Sequence, residues 1–89
     1  MLIAAANNRL DVLKLLIAAG ADVNKACVNY GCTPLYIAAQ NGHADAVGLF
    51  IAAGANVHAT TTDGATALSF ALARGHAAVV QKLRAAGAN

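Results

Sequence analysis

Apolar residues fall in short runs with helical spacing, and glycine-containing turns separate the runs. Val47, Phe50 and Ile51 lie at positions i, i+3 and i+4, on one side of a helix predicted over residues 43–53. Gly54 follows and can take the positive φ that ends a helix. This stretch therefore predicts an amphipathic helix with one face buried.

A second, shorter helix is predicted just before it, over residues 34–40. Thr33 is a good helix cap, and Pro34 suits the first turn, where a missing N–H is tolerated. Asn41-Gly42 ends this helix. Residues 55–65 hold turn formers without helical spacing, which predicts a projecting hairpin-like loop.

The same pattern recurs along the chain. Residues 20–24 return as 54–58, and the beginning of this segment returns as 87–89, at spacings of 34 and 33 residues. Aligning residues 33–56 with residues 66–89 gives 12 identities in 24 positions. Such a fixed period is typical of a repeat protein whose units stack on one another.

Several motifs in fixed order resemble the ankyrin repeat. They are Thr33-Pro34-Leu35, Ala38-Ala39, Gly42-His43 and Gly20-Ala21-Asp22-Val23-Asn24. The resemblance implies an all-α solenoid of three helix–turn–helix units with projecting hairpin-like loops, forming a single domain over residues 1–89. The units are repeat 1 (1–32, lacking its start), repeat 2 (33–65) and repeat 3 (66–89). Tyr36 and Ser69 stand where the family usually has histidine, and Ala67 replaces the proline.

Equivalent positions suggest how the stack ends. At one position the three repeats have Leu15, Leu49 and Lys82, and at another they have Ile17, Ile51 and Arg84. Two apolar positions therefore become basic in the last unit. A terminal repeat needs a polar outer face, so we expect the third unit to be a C-terminal cap.

The first unit lacks a threonine–proline start, because Met1 occupies the position of Leu35. Its first helix is therefore predicted to be uncapped and to fray, at a loss of about 1 kcal/mol. A trimmed longer array and a short engineered array both fit this pattern.

Composition narrows the function classes. Charged residues make up 11% of the chain, the net charge is +2, and the basic residues are scattered, which argues against nucleic-acid binding. No run approaches the roughly 18 apolar residues of a membrane span, and the first residues lack the basic region of a signal peptide. We expect a soluble, cytoplasmic protein.

The chemically reactive residues do not form a catalytic or metal-binding set. Cys27 and Cys32 lie five apart, and two reduced thiols are favoured over a disulfide or a metal site. His43 and His76 occupy equivalent positions, and the resemblance implies a structural role that ties helix to loop. The four aspartates are far apart in sequence. We therefore predict no enzyme activity, no cofactor and no metal.

In the ankyrin family, the concave face of hairpin tips and first helices binds partners. Carried over to this chain, the resemblance implies a site that combines Asn29, Tyr30 and Cys32 with Thr62 and Asp63 of the loops, and with Gln40, Asn41 and Arg74 of the helices. Tyr30 is the strongest candidate, because tyrosine buries a large area and keeps a hydroxyl for specificity. The expected function is a non-catalytic module that binds a protein. The alternative is a structural or engineered scaffold unit that forms homo-oligomers through exposed apolar surface.

Overall fold

The computed structural model describes residues 2–26 and 31–88, and within these ranges the regular structure is helical. The described residues form six helices in this order: α1 (Leu2–Ala6), α2 (Leu10–Ala18), α3 (Pro34–Gln40), α4 (Ala44–Ala52), α5 (Ala67–Arg74) and α6 (Ala77–Ala85). They form three consecutive pairs, each with a first and a second helix. The predicted all-α class is confirmed.

Local sequence explains where the first helices of the pairs begin. The Thr33 hydroxyl accepts a hydrogen bond of 3.2 Å from the Tyr36 N–H, and Pro34 occupies the first turn of α3. In α5, Thr66 and Ser69 form a reciprocal capping box, in which each side chain accepts from the backbone N–H of the other. These caps satisfy N–H groups that have no partner inside the helix.

The helices form two layers. The first helices α1, α3 and α5 lie side by side, and the second helices α2, α4 and α6 form the other row. Leu13, Val47 and Phe50 are fully buried in the core between the layers. Ala38 and Ala39 are also fully buried, and their small size allows the neighbouring first helices to approach closely.

The loops between the pairs contact each other. The Asn24 side-chain oxygen accepts a hydrogen bond of 2.7 Å from the Asn56 N–H in the next loop. Gly31 has a φ of +69°, and a Cβ placed on it would lie 3.5 Å from the Thr62 nitrogen. The second loop closes on itself, because the Thr61 N–H donates to the Ala65 carbonyl over 2.9 Å. This closed turn agrees with the predicted hairpin-like shape.

The structure corrects the interpretation of one set of equivalent positions. Leu49 packs beside Ile17 of the preceding pair, and Lys82 likewise faces backward, since its Nζ lies 3.2 Å from a Cβ placed on Gly48. The position of Leu15, Leu49 and Lys82 therefore faces the preceding repeat, not the following one. Lys82 is consequently no sign of a C-terminal cap, and Leu15 is 72% exposed.

The last pair is only partly polar on its outer side. Arg84 lies there and is exposed, as the cap interpretation requires. Leu72 lines the same surface and is 51% exposed, although the equivalent Ala39 is fully buried under the next pair. The third repeat therefore lacks the fully polar face expected of a cap.

Leu49→Ala should destabilise the protein by about 1–3 kcal/mol, because it removes apolar contacts between two repeats. Leu15→Ala is the matched control, and should change the free energy of unfolding by less than ~0.5 kcal/mol because Leu15 is exposed. Urea denaturation of both variants measures the difference. Equal losses of stability in the two variants would contradict the conclusion that this position faces the preceding repeat.

Candidate functional site

Equivalent positions on the first helices form an apolar stripe along one surface. Ile3, Ile37 and Phe70 occupy the same position of α1, α3 and α5, and we call them the inner stripe. Ile3 is 80% exposed, whereas Ile37 and Phe70 are partly buried. Because the three helices pack side by side, the stripe runs across all three repeats.

An aromatic and cationic cluster lies at one end of the inner stripe. The Tyr36 and Phe70 rings meet edge to face, with centroids 5.2 Å apart and planes at 67°. The Arg74 guanidinium carbon lies 5.2 Å from the centroid of the Phe70 ring. This distance is within the range of a cation–π attraction, which orients the exposed Arg74 side chain.

The electrostatic surroundings of Tyr36 show which loop residues lie near this cluster. Burial raises the pKa of the Tyr36 hydroxyl above its ordinary value, and negative charge on Cys32 and Asp63 raises it further. Arg74 acts in the opposite direction on the same pKa. Three of the residues predicted for the site, Cys32, Asp63 and Arg74, therefore lie near the buried Tyr36.

Two other predicted site residues hold neighbouring repeats together. The Asn41 side-chain nitrogen donates to the carbonyl of Ala6 over 3.4 Å, and the Gln40 carbonyl accepts from His76 Nε2 over 3.1 Å. His43 Nε2 also donates to the Ala6 carbonyl, over 2.9 Å. These histidines lie in the turns between the two helices of their own repeats, and they bind the last residue of the first helix of the preceding repeat. Their hydrogen bonds therefore tie a turn to a helix, and they do so between two repeats. A carbonyl in the last turn of a helix accepts no hydrogen bond from within that helix, so it needs a donor from elsewhere.

Three predicted site residues remain, and of these the structure describes Thr62 alone. Thr62 is exposed in the turn of the second loop. Asn29 and Tyr30 lie outside the described residues, so their place in the site stays a prediction. Phe70 and Ile37 were missed by the sequence analysis. The signal for Phe70 was its aromatic ring at a position where the other two repeats have isoleucine.

The described residues give no support to a metal site or to a membrane-spanning helix. Over residues 2–26 and 31–88, no group of three or more metal-ligating side chains comes together. In the same ranges, every helix is too short, or not apolar enough, to cross a bilayer.

Comparison with known proteins gives one positive result. A family model described as ankyrin repeats, in three copies, matches residues 1–89, the whole length of the chain. Among curated proteins, none matches the chain.

The pKa of Tyr36 should respond to two single substitutions in opposite directions. Asp63→Asn should lower it, because a nearby negative charge is removed, and Arg74→Gln should raise it, because a positive charge is lost. Ultraviolet titration of tyrosinate in a Tyr30→Phe background reports Tyr36 alone.

Asp45→Asn is the control, since Asp45 lies on α4 and is absent from the groups that shift this pKa. An unchanged pKa in both cluster variants would show that Asp63 and Arg74 do not face Tyr36.

The raised pKa of Tyr36 in the folded state also predicts how the stability of the protein changes with pH. The stability that Tyr36 contributes should be fully present below the pKa of unfolded tyrosine and should be lost as the pH rises through the folded value.

Proposed function

The chain belongs to the ankyrin-repeat family, whose members are generally non-catalytic protein-interaction modules, and we propose that it binds a protein through its first-helix surface. The binding surface comprises the inner stripe and the cluster of Tyr36, Phe70 and Arg74. The exposed loop residue Asp63, which lies near Tyr36, borders it, and the exposed Thr62 precedes Asp63 in the same turn.

This proposal is based mainly on the cation–π contact between Arg74 and Phe70. Among the described residues, the Arg74 guanidinium has this aromatic contact and no ion pair. Its planar group keeps donors for a partner, and guanidinium groups pair well with carboxylates. Aromatic and arginine side chains also supply much of the binding energy at protein interfaces.

Differences between the repeats also support a binding role for this surface. At the position of Arg74, the other repeats have Asn7 and Asn41, and at the position of Phe70 they have Ile3 and Ile37. The buried framework beneath these positions stays small and apolar, as Ala4, Ala38 and Ala71 show. The surface therefore varies on a constant scaffold, which suits recognition of a particular partner.

The proposal includes binding without catalysis and without a cofactor. A nucleic-acid partner would need several cations along one face. On the first helices, Arg74 is the one cation among the described residues. A protein partner with apolar side chains and a carboxylate matches this surface better.

Peptides selected from a random display library on the immobilised chain test the proposal. The strongest binder should shift the backbone NMR signals of α3 and α5 more than those of the second helices. Recovery of no binding peptide, or shifts centred on α4 and α6, would contradict the proposed surface.

Two substitutions then test the cluster with that peptide as ligand. Arg74→Ala and Phe70→Leu should each weaken binding by about tenfold or more, corresponding to ~1.4 kcal/mol, because they remove an interfacial cation and the ring that orients it. Arg84→Ala is the matched control, because Arg84 is an exposed arginine on the second helix α6. Equal effects of Arg74→Ala and Arg84→Ala would show a general charge effect instead of a site.

A further inference from the structure

Two exposed side chains of opposite charge lie on either side of Phe70 along α5. Asp63 is in the turn of the second loop, four residues before α5 begins at Ala67, and Arg74 is the last residue of α5. Phe70 is the fourth residue of this helix of 8 residues. Because such a helix is about 12 Å long, the surface beside Phe70 has an anionic end and a cationic end.

Both charged groups are close to the aromatic rings of the cluster. The Arg74 guanidinium carbon lies 5.2 Å from the Phe70 ring centroid, and the Tyr36 ring meets the Phe70 ring edge to face. Asp63 lies near Tyr36, because its negative charge contributes to the raised pKa of the Tyr36 hydroxyl. The two rings therefore have an acidic group and a basic group beside them.

Neither charge is neutralised within the described part of the chain. Asp63 and Arg74 have no ion pair there. Over α1, α3, α5 and residues 61–65, which are all described, these two residues supply the charged side chains. A partner can therefore pair with each of them. A partner that carried a single sign of charge would be repelled at one of the two ends.

The pair of opposite charges belongs to one place in the array. In the sequence, the residue of the first loop that corresponds to Asp63 is Tyr30, and the residue of repeat 2 that corresponds to Arg74 is Asn41. Neither of these residues is charged at neutral pH. The arrangement is therefore particular to the surface beside α5 and is not a requirement of the repeat fold.

Stabilisation of α5 is another role that these charges can have. A negative charge near the start of a helix and a positive charge near its end both favour the helix. Asp45 in the first turn of α4 and Arg84 in the last turn of α6 have a similar relation to their own helices, but they lie on second helices. This second pair therefore separates an effect of helix ends from an effect of the binding surface.

We propose that the partner segment bound along α5 carries a basic, an apolar and an acidic side chain, in that order from the start of α5 to its end; this inference rests on the proposed function. The basic group pairs with Asp63, the apolar side chain packs on Phe70 and Ile37, and the acidic group pairs with Arg74. An extended segment advances about 3.3 Å per residue, so its two charged residues are about four positions apart. The two charge pairs also fix the direction in which the segment lies.

Complementary charge reversal tests this pairing with the strongest peptide from the display selection. One synthetic version of the peptide has its acidic residue changed to lysine, and another has its basic residue changed to glutamate. Arg74→Glu and Asp63→Lys are the matching variants of the chain, and Arg84→Glu and Asp45→Lys are the controls. Circular dichroism checks that each variant is folded, and isothermal titration calorimetry at low salt measures binding.

Each reversed peptide should bind the unchanged chain about tenfold more weakly, because an attraction becomes a repulsion. The peptide with the added lysine should regain affinity on Arg74→Glu alone, and the peptide with the added glutamate should regain it on Asp63→Lys alone. Neither control variant should restore binding. Where a reversed variant does not fold, Arg74→Gln or Asp63→Asn replaces it and should remove the difference in affinity between the original and the reversed peptide.

Selected peptides that carry one sign of charge, or no charge, overturn this inference. Affinity that no variant restores, or that the crossed pairs or the control variants restore, also overturns it. In these cases, peptide-induced NMR shifts in α3 and α5 would still support the proposed binding surface. Recovery of no peptide, or shifts centred on α4 and α6, overturns both this inference and the proposed function.

Discussion

Burial of apolar side chains between neighbouring repeats is the interaction on which the rest of this structure depends. The helices are between five and nine residues long. Helices shorter than about 12 residues are marginal in water on their own. The fully buried Leu13, Val47 and Phe50 therefore hold the helices in place through contacts with neighbours.

The same stacking creates the candidate binding surface. Ala38 and Ala71 are buried and small, so α3 and α5 lie close enough for the Tyr36 and Phe70 rings to touch. The hydrogen bond from His76 to the Gln40 carbonyl fixes the same two repeats relative to each other. A change in the contact between repeats would thus move Phe70 and with it Arg74. The proposed binding surface and the stability of the stack therefore depend on the same contacts between repeats.

The sequence was sufficient to predict those features that depend on local chemistry and period. Thr33 and Pro34 predict the start of α3, and Gly54 follows α4 near the predicted end, although α4 is one residue shorter at each end than the predicted helix. The recurrence of residues 20–24 predicts the repeat architecture, which the family match confirms.

Features that depend on the direction of stacking were not predictable in the same way. Leu15, Leu49 and Lys82 share a position, but a list of equivalent residues does not say whether that position faces the preceding or the following repeat. The position of the Lys82 ammonium group beside Gly48 of the preceding repeat answers this question. The cluster around Phe70 likewise depends on how α5 is rotated against α3, which no local pattern specifies.

Amide hydrogen exchange, measured on the dilute monomer, tests most directly whether contacts between repeats supply the stability. The middle repeat has two neighbours, whereas each terminal repeat has one, and such arrays are stabilised largely by nearest-neighbour contacts. The account predicts the slowest exchange in α3 and α4 and the fastest in α1. Protection of α1 equal to that of α4 would contradict the account, because it would mean that a repeat is stable without a neighbour on each side.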